Sequence, residues 1–410
     1  MSAAGNVLYV LHEPAGGAAE GILQLLHGLR DTRYKAFLAI AGKPEPYRSE
    51  QFRSVAEQVA VVPMGWWNLK YRYPLWYRPV QAARVNMRTR AHVGSVRALA
   101  RLIRRWDIDL VYTCTAAILD GALAARLTGR PHLWHVKETV GRHGLLRFPL
   151  PISSLAQLMS DRLSDRLVCM SQFIARPFLD YGDSAHVRIV YDGVDVTRYG
   201  SSSGVADYRS RLGIAHDQIL VAMAASLRST WKRHELFLAV AAELAPRLPD
   251  VRFAIFGSPP VRYWNPAHND AWHRYCRMRE RVQVSGLEDR IRIGVFSSNI
   301  PQMMEATDIL VHPCEAEPFG RIAIEAMAAG RPVVGPAAGG IAESVVDGET
   351  GLLVRPRDLS AFANAVETLA RDPVLRKAMG RAGRERAERV FSLSSHVARV
   401  AGLYDELLLS

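Results

Sequence analysis

Two glutamates eight residues apart, Glu317 and Glu325, point most directly to chemistry in this chain. They stand in the string His312-Pro313-Cys314-Glu315-Ala316-Glu317-Pro318-Phe319-Gly320-Arg321-Ile322-Ala323-Ile324-Glu325, which runs on to Gly330-Arg331-Pro332-Val333-Val334. The pattern reads as a strand ending near Pro313, a loop carrying Glu317, and a helix opening around Gly320. Glu325 then falls on the second turn of that helix. Pro318 fixes the loop, and Gly320 lets backbone approach a ligand closely. A helix N-terminus offers free amides to anions or hydroxyls. Two carboxylates there can grip two different hydroxyl-bearing parts of one ligand. A capping acid on an ordinary helix would explain two glutamates, but not the whole string with Gly339-Gly340 behind it.

A second segment, Ser226-Leu227-Arg228-Ser229-Thr230-Trp231-Lys232-Arg233-His234-Glu235-Leu236, is basic and lies between a strand pattern and a helix pattern. Read by itself, it is either a solvated basic loop or the edge of a binding cleft.

The elements that must position these residues alternate along the whole chain. In the first half, strands are read at 6–11, 34–41, 59–63, 110–113 and 133–136, with helices at 18–29, 93–106 and 119–127. In the second, strands fall at 219–224, 252–257, 291–295, 309–312 and 332–335, with helices at 235–248 and 322–329. Such alternation implies an α/β fold, with parallel sheets covered by helices on both faces. Two doubly wound, Rossmann-like domains are expected to face each other across a cleft, with ligands at the carboxyl ends of the strands. The polar run at 199–206 reads as a linker between an N-terminal domain (1–198) and a C-terminal domain (207–391). A last helix, about 392–410, has no strand after it and is free to pack back on the first domain.

With these motifs in place the sequence resembles the retaining glycosyltransferases of family 4, which have the GT-B fold. The resemblance covers nearly the whole chain and is closest from Asp308 to Arg355. It implies that Glu325 binds the donor ribose hydroxyls and Glu317 the transferred sugar, supported by the amides around Phe319 and Gly320. Gly339-Gly340 becomes a second glycine turn beside the donor. Arg228 and Lys232 fall on the cations that grip the diphosphate, and two fixed cations can neutralise it in place of a metal. The loop departs from the family: Leu227 and Arg233 replace glycines and one residue is missing, so the second phosphate ligand is Lys232 or Arg233. By the same resemblance Gly16-Gly17 lie near the donor phosphates and His135 near the donor sugar. Tyr191-Asp192-Gly193-Val194-Asp195 matches a structural turn, with Asp192 where asparagine is usual.

The implied reaction moves a sugar from a UDP- or GDP-sugar to a glycan or lipid-linked glycan, in cell-surface polysaccharide or glycolipid synthesis. Rival readings are a GT-B epimerase, a glucan synthase, or a non-catalytic member that binds nucleotide sugar or membrane. No His or carboxylate cluster with metal-ligand spacing is read in the sequence, so neither metal nor cofactor is expected.

Composition narrows the partners. The chain has 410 residues, 49% of them apolar, and only four scattered cysteines, which fits a reducing compartment better than a disulfide scaffold or zinc site. No stretch reaches the roughly 18 apolar residues of a membrane span. A cytoplasmic protein is expected, with peripheral attachment to the inner face of the cell membrane allowed. Net charge is +12, and the interval from Glu57 to Asp107 holds no acid between its ends. Within it, Trp66 and Trp67 precede a basic run that includes Arg84, Arg88 and Arg90, with Lys70, Tyr71, Tyr73, Trp76 and Tyr77 between. A solvated helix face is one reading. A nucleic-acid site finds no matching module, and a patch for an anionic membrane surface is the reading preferred.

Overall fold

Unbroken apolar runs such as Val7-Leu8-Tyr9-Val10-Leu11 suit strands covered on both faces. In the computed structural model they build two parallel sheets, each in its own compact unit. The structure describes residues 5–12, 16–42, 45–67, 78–140, 146, 148, 150–200, 203–263, 269–295 and 299–409, with the backbone alone at 16–18, 46–47 and 78–91.

Unit 1 comprises Met1–Gly193 with Leu393–Ser410. Its strands are β1 (Gly5–Leu11), β2 (Tyr34–Ile40), β3 (Gln58–Val61), β4 (Leu110–Thr113), β5 (His132–Val136), β6 (Arg166–Cys169) and β7 (Val187–Ile189), in the order 3-2-1-4-5-6-7. Unit 2 is Val194–Ser392. Its strands are β8 (Ile219–Ala224), β9 (Val251–Phe256), β10 (Ile291–Val295), β11 (Ile309–Val311), β12 (Val333–Pro336) and β13 (Gly351–Val354), in the order 10-9-8-11-12-13. Both orders reverse beside their first strand. That puts a topological switch point between β1 and β4 in unit 1, and between β8 and β11 in unit 2.

The Gly/Ser run expected as a linker at 199–206 lies inside unit 2 instead. The Gly200 amide donates to Glu305 Oε1 (2.8 Å), and a helix starts at Val205, so the run is anchored rather than spanning. The unit boundary falls earlier, where Val194 pairs with Ser392 and its amide donates to the Phe391 carbonyl (2.8 Å). The chain then returns to unit 1 through the helix Leu393–Leu408. His396, Val397, Val400, Leu403 and Tyr404 recur on its inner face at helical spacing and are buried. Val397 packs so closely on the helix Gly16–Leu29 that a Cβ at Gly28 would lie 2.5 Å from its Cγ2. The four cysteines are free, and no described helix is long and apolar enough to cross a membrane.

Tyr9 of β1 and Tyr404 of the returning helix share a fully buried hydroxyl–hydroxyl bond of 2.8 Å. Removing one hydroxyl strands the other in an apolar core, at a cost of about 1–3 kcal/mol. Tyr9→Phe and Tyr404→Phe should each lower stability by that much in denaturant titrations, and the double variant by less than the sum. Strict additivity would show that the bond does not tie the helix to the sheet.

Candidate functional site

In unit 2 the loops leaving β8 and β11 flank the switch point, and they carry both sequence motifs. The β8 loop ends in a helix, His234–Leu244, and the β11 loop ends in another, Arg321–Ala328. Two ion pairs join the loops. Lys232 Nζ donates to Glu317 Oε2 at 2.5 Å, and the same oxygen meets His312 Nε2 at 2.9 Å. Arg233 holds Glu315 with two guanidinium nitrogens, Nε at 3.0 Å and Nη2. Arg357 reaches Glu315 from the loop after β13, with Nε at 2.8 Å and Nη2 at 2.6 Å.

Burial works to raise the Glu317 carboxyl, but the His312 ring and the Lys232 ammonium outweigh it and hold it at about 2. Glu315 also falls to about 2, against its own partial burial, because Arg233, a backbone amide and Arg357 favour its charge. Lys232 lies 4.0 Å from the centre of the Trp231 ring, a cation–π contact that further fixes it.

The two substituted glycines of the β8 loop have different explanations. Arg233 takes φ +62°, ψ 39°, the left-handed conformation that glycine adopts freely. A side chain there costs roughly 1–2 kcal/mol, and the two-pronged bond to Glu315 offsets it. Leu227 is buried in the unit 2 core and closes the loop by packing. Arg228 is exposed, and its guanidinium has no partner among the described residues, whereas Lys232 and Arg233 are both engaged by glutamates.

Gly320 opens its helix at φ +90°, ψ 51°, where a Cβ would lie 2.3 Å from Ile341 Cδ1. Phe319 is buried and stacks edge-on to Phe391. Glu325 is also buried, with Oε1 accepting from Arg321 Nε at 3.0 Å. The Gly340 amide donates to the Glu317 carbonyl (2.8 Å), and a Cβ on Gly340 would come within 2.3 Å of Phe319 Cα. Gly339-Gly340 therefore seats the loop that carries Glu317, a packing role that its glycine spacing alone did not reveal.

The expectation of no metal-ligand cluster needs correction. His312, Cys314 and Glu317 bring their ligand atoms within 4.8 Å of one another. The Lys232 ammonium already occupies the carboxylate of that group, and burial pushes the Cys314 thiol up to about 12, so it stays protonated. An Asp-x-Asp spacing is present as well, at Asp107-Ile108-Asp109. It precedes β4 at the amino end of the sheet, where Asp109 Oδ2 accepts the Asn6 amide at 2.8 Å.

In unit 1 the helix begins at Gly16 itself, so Gly16 and Gly17 form its first turn rather than a turn ahead of it. His135 does not face open space. It lies inside β5, fully buried, with Nδ1 2.5 Å from the Tyr112 hydroxyl; burial, helped by the nearby Lys137 charge, keeps the ring neutral. The carboxyl end of β5 presents Lys137 and Glu138 instead. Lys137 Nζ pairs with Asp192 Oδ1 at 2.9 Å, both nearly sealed from solvent. An aspartate where asparagine is usual thus answers a buried ammonium. Glu138 accepts from Thr115 Oγ1 (2.5 Å) and the Ala116 amide (3.1 Å).

Trp66 and Trp67 are half-buried, not splayed outward. Trp66 meets His12 edge-on; Trp67 Nε1 donates to the Ala116 carbonyl (2.7 Å) and its ring packs on Phe148. Arg84, Arg88 and Arg90 lie on the helix Arg78–Arg105, and their side chains, with all of 68–77, are outside the described residues.

Comparison with known proteins bears on the family and the fold. Residues 205–386 match the family model for glycosyl transferases group 1, and residues 15–198 that for glycosyltransferase family 4. D-inositol 3-phosphate glycosyltransferase of Kineococcus radiotolerans is 32% identical over 302 residues, 69% of this chain and 63% of that protein. The Mycolicibacterium smegmatis GDP-mannose-dependent alpha-(1-6)-phosphatidylinositol monomannoside mannosyltransferase is 27% identical over 317 residues, 74% of this chain and 78% of that protein. The chain spans a little under two thirds of the length of the first curated relatives it matches, 62% for the Streptomyces avermitilis enzyme. Among solved structures, Anabaena HepE in complex with UDP-glucose superposes with a TM-score of 0.78 at 22% identity, covering 98% of this chain and all of that one.

Two measurements check the site's physics. Gly340→Ala forces a side chain onto the Phe319 backbone and should cost about 1–3 kcal/mol, a fall of several degrees in Tm. An unchanged Tm would contradict the seating role. Because the folded Glu317 carboxyl lies below its ordinary 4.5, its stabilisation is complete above that pH and is lost as pH falls towards 2. The loss is roughly 3 kcal/mol, and urea titrations from pH 6 to 2.5 should show it flattened in Glu317→Gln.

Proposed function

We propose, for a chain that belongs to glycosyltransferase family 4, a retaining transfer of a sugar from a nucleoside diphosphate to an acceptor hydroxyl. The observation that carries the reading is the meeting of the two loops at the unit 2 switch point, joined by the Lys232–Glu317 pair, with the Arg228 guanidinium, unpartnered among the described residues, on the same loop as Lys232. The bond from the anomeric carbon to the diphosphate oxygen breaks, and a bond to the acceptor oxygen forms on the same face. The acceptor proton passes to the leaving phosphate, so the step requires no separate protein base. Arg228 neutralises the departing charge, and Lys232 shares its ammonium between Glu317 and the phosphate. Fixed charges of this kind act chiefly in the transition state.

Glu325 takes the ribose hydroxyls and Glu317 orients the transferred sugar. The cations serve in place of a metal. The nucleotide is uridine or guanosine: HepE is solved with UDP-glucose, and the mycobacterial relative is named for GDP-mannose. The acceptor is a hydroxyl of a glycan or lipid-linked glycan, in keeping with relatives named for inositol phosphate and phosphatidylinositol mannoside.

A thermal-shift screen of UDP- and GDP-sugars identifies the donor, since ligand bound to the folded state raises Tm. With that donor, Arg228→Ala should lower kcat by about 10²–10³-fold while Tm stays within a degree or two. Wild-type turnover in the folded variant would remove Arg228 from the reaction.

A further inference from the structure

Among the described residues, three that are not glycine carry a positive φ. Two of them, Arg233 at +62° and Arg357 at +64°, bond to one carboxylate, Glu315. Both Glu315 oxygens are committed to these arginines: Oε2 to Arg233 Nε, and Oε1 to Arg233 Nη2 and to Arg357 Nε and Nη2. The carboxylate is therefore set to hold side chains rather than a ligand. Arg233 ends the β8 loop, Glu315 sits in the β11 loop and Arg357 follows β13, so one acid gathers the loops of three strands. Left-handed backbone at residues with side chains persists only where its surroundings over-determine it, and it collects at functional sites.

Arg233 stands where such a restraint has leverage. Behind it the helix His234–Leu244 is fixed, with Phe237, Leu238, Val240, Ala241 and Leu244 buried in the unit 2 core. Ahead of it, one planar peptide away, is Lys232, whose ammonium meets Glu317 at 2.5 Å. Relaxing Arg233 to the ordinary helical φ turns the chain by roughly 120° about its N–Cα bond. With the helix held, that rotation falls on the loop and moves Lys232 relative to Glu317. The start of the loop is tethered separately, where Arg274 Nη2 donates to the Arg228 carbonyl at 2.8 Å.

We propose that Glu315 is a positioning residue for transfer: by holding Arg233 left-handed it keeps the Lys232 ammonium at Glu317, where the leaving phosphate arrives. The role rests on the reading of Lys232 as a phosphate ligand given above. It makes Arg233 a backbone lever and, of the two cations that the sequence left open, gives the phosphate to Lys232. Arg357 secures the Glu315 carboxylate from a third loop.

Steady-state kinetics on the full chain, with the donor found by thermal shift, test this. Glu315→Ala should lower kcat by about 10–10²-fold, with donor KM little changed and folding checked by Tm and circular dichroism. Adding Arg233→Gly should return most of the lost kcat, because glycine holds a positive φ unaided, although no ion pair is restored. Adding Arg357→Gly instead should return none. In a Lys232→Gln background Glu315→Ala should cost nothing further, since the two residues act as one unit. Glu315→Gln keeps the shape of the side chain and should show the same pattern with a smaller loss. Undiminished kcat in folded Glu315→Ala, beside a slow Lys232→Gln, would overturn the positioning role and leave the donor reading intact. So would failure of Arg233→Gly to restore kcat, equal recovery by Arg357→Gly, or a full further loss in the Lys232→Gln background. Full turnover in Lys232→Gln would instead remove Lys232 from the phosphate, and this role would fall with it.

Discussion

A carboxylate buried between two loops can stay ionised only if every charge and lone pair around it is answered, and Glu317 is in that position. Lys232 supplies the counter-charge, His312 a second donor, and the Gly340 amide secures its backbone. Taking such a pair out of water is costly, and the cost is recovered only when geometry is close and complete. Much of the surrounding sequence follows from that demand. Gly339 and Gly340 are small because they abut the backbone that carries Glu317, and Arg233 tolerates a left-handed conformation because Glu315 secures it. The site is thus preorganised by charge before any ligand arrives, and the Arg228 guanidinium on the same loop has no partner among the described residues.

The parallel sheets were legible where apolar or β-branched residues dominate a run flanked by helical pattern. Leu110–Thr113, Ile219–Ala224 and Ile291–Val295 stand where the pattern put them. Arg166–Cys169, Val187–Ile189 and Gly351–Val354 were not legible: at three or four residues no period appears, and an arginine in the first two and a glycine opening the third break the apolar run. The helix Arg78–Arg105 extends well before its readable start at Val93, because its first half is rich in arginine and has no regular apolar face.

The site divides in the same way. Motif strings placed Glu317, Arg228 and Lys232 on loops and Glu325 on a helix, as found, since each string spans a strand, a loop and a helix start. Spacing could not foresee the long-range partners: Arg357 on Glu315, or Lys137 on Asp192. His135 shows the opposite failure. Strand alternation decides which face a residue takes, and a motif match cannot see that the ring turns inward to Tyr112. The signal that was available lies two residues on, where Lys137 and Glu138 leave the strand end.

The return of the chain to unit 1 has a consequence for how the protein is made. The helix Leu393–Leu408 covers β1 and the Gly16–Leu29 helix, yet the ribosome delivers it only after the whole of unit 2. At ordinary rates of synthesis, the first unit waits on the order of ten to forty seconds with that apolar face bare. Unit 2 has no such debt to later sequence and can close as soon as Ser392 pairs with Val194. The order of synthesis is therefore the reverse of the order of completion. A nascent chain stalled before residue 393 would present a finished unit 2 and an unfinished unit 1 whose exposed leucines invite chaperones or aggregation.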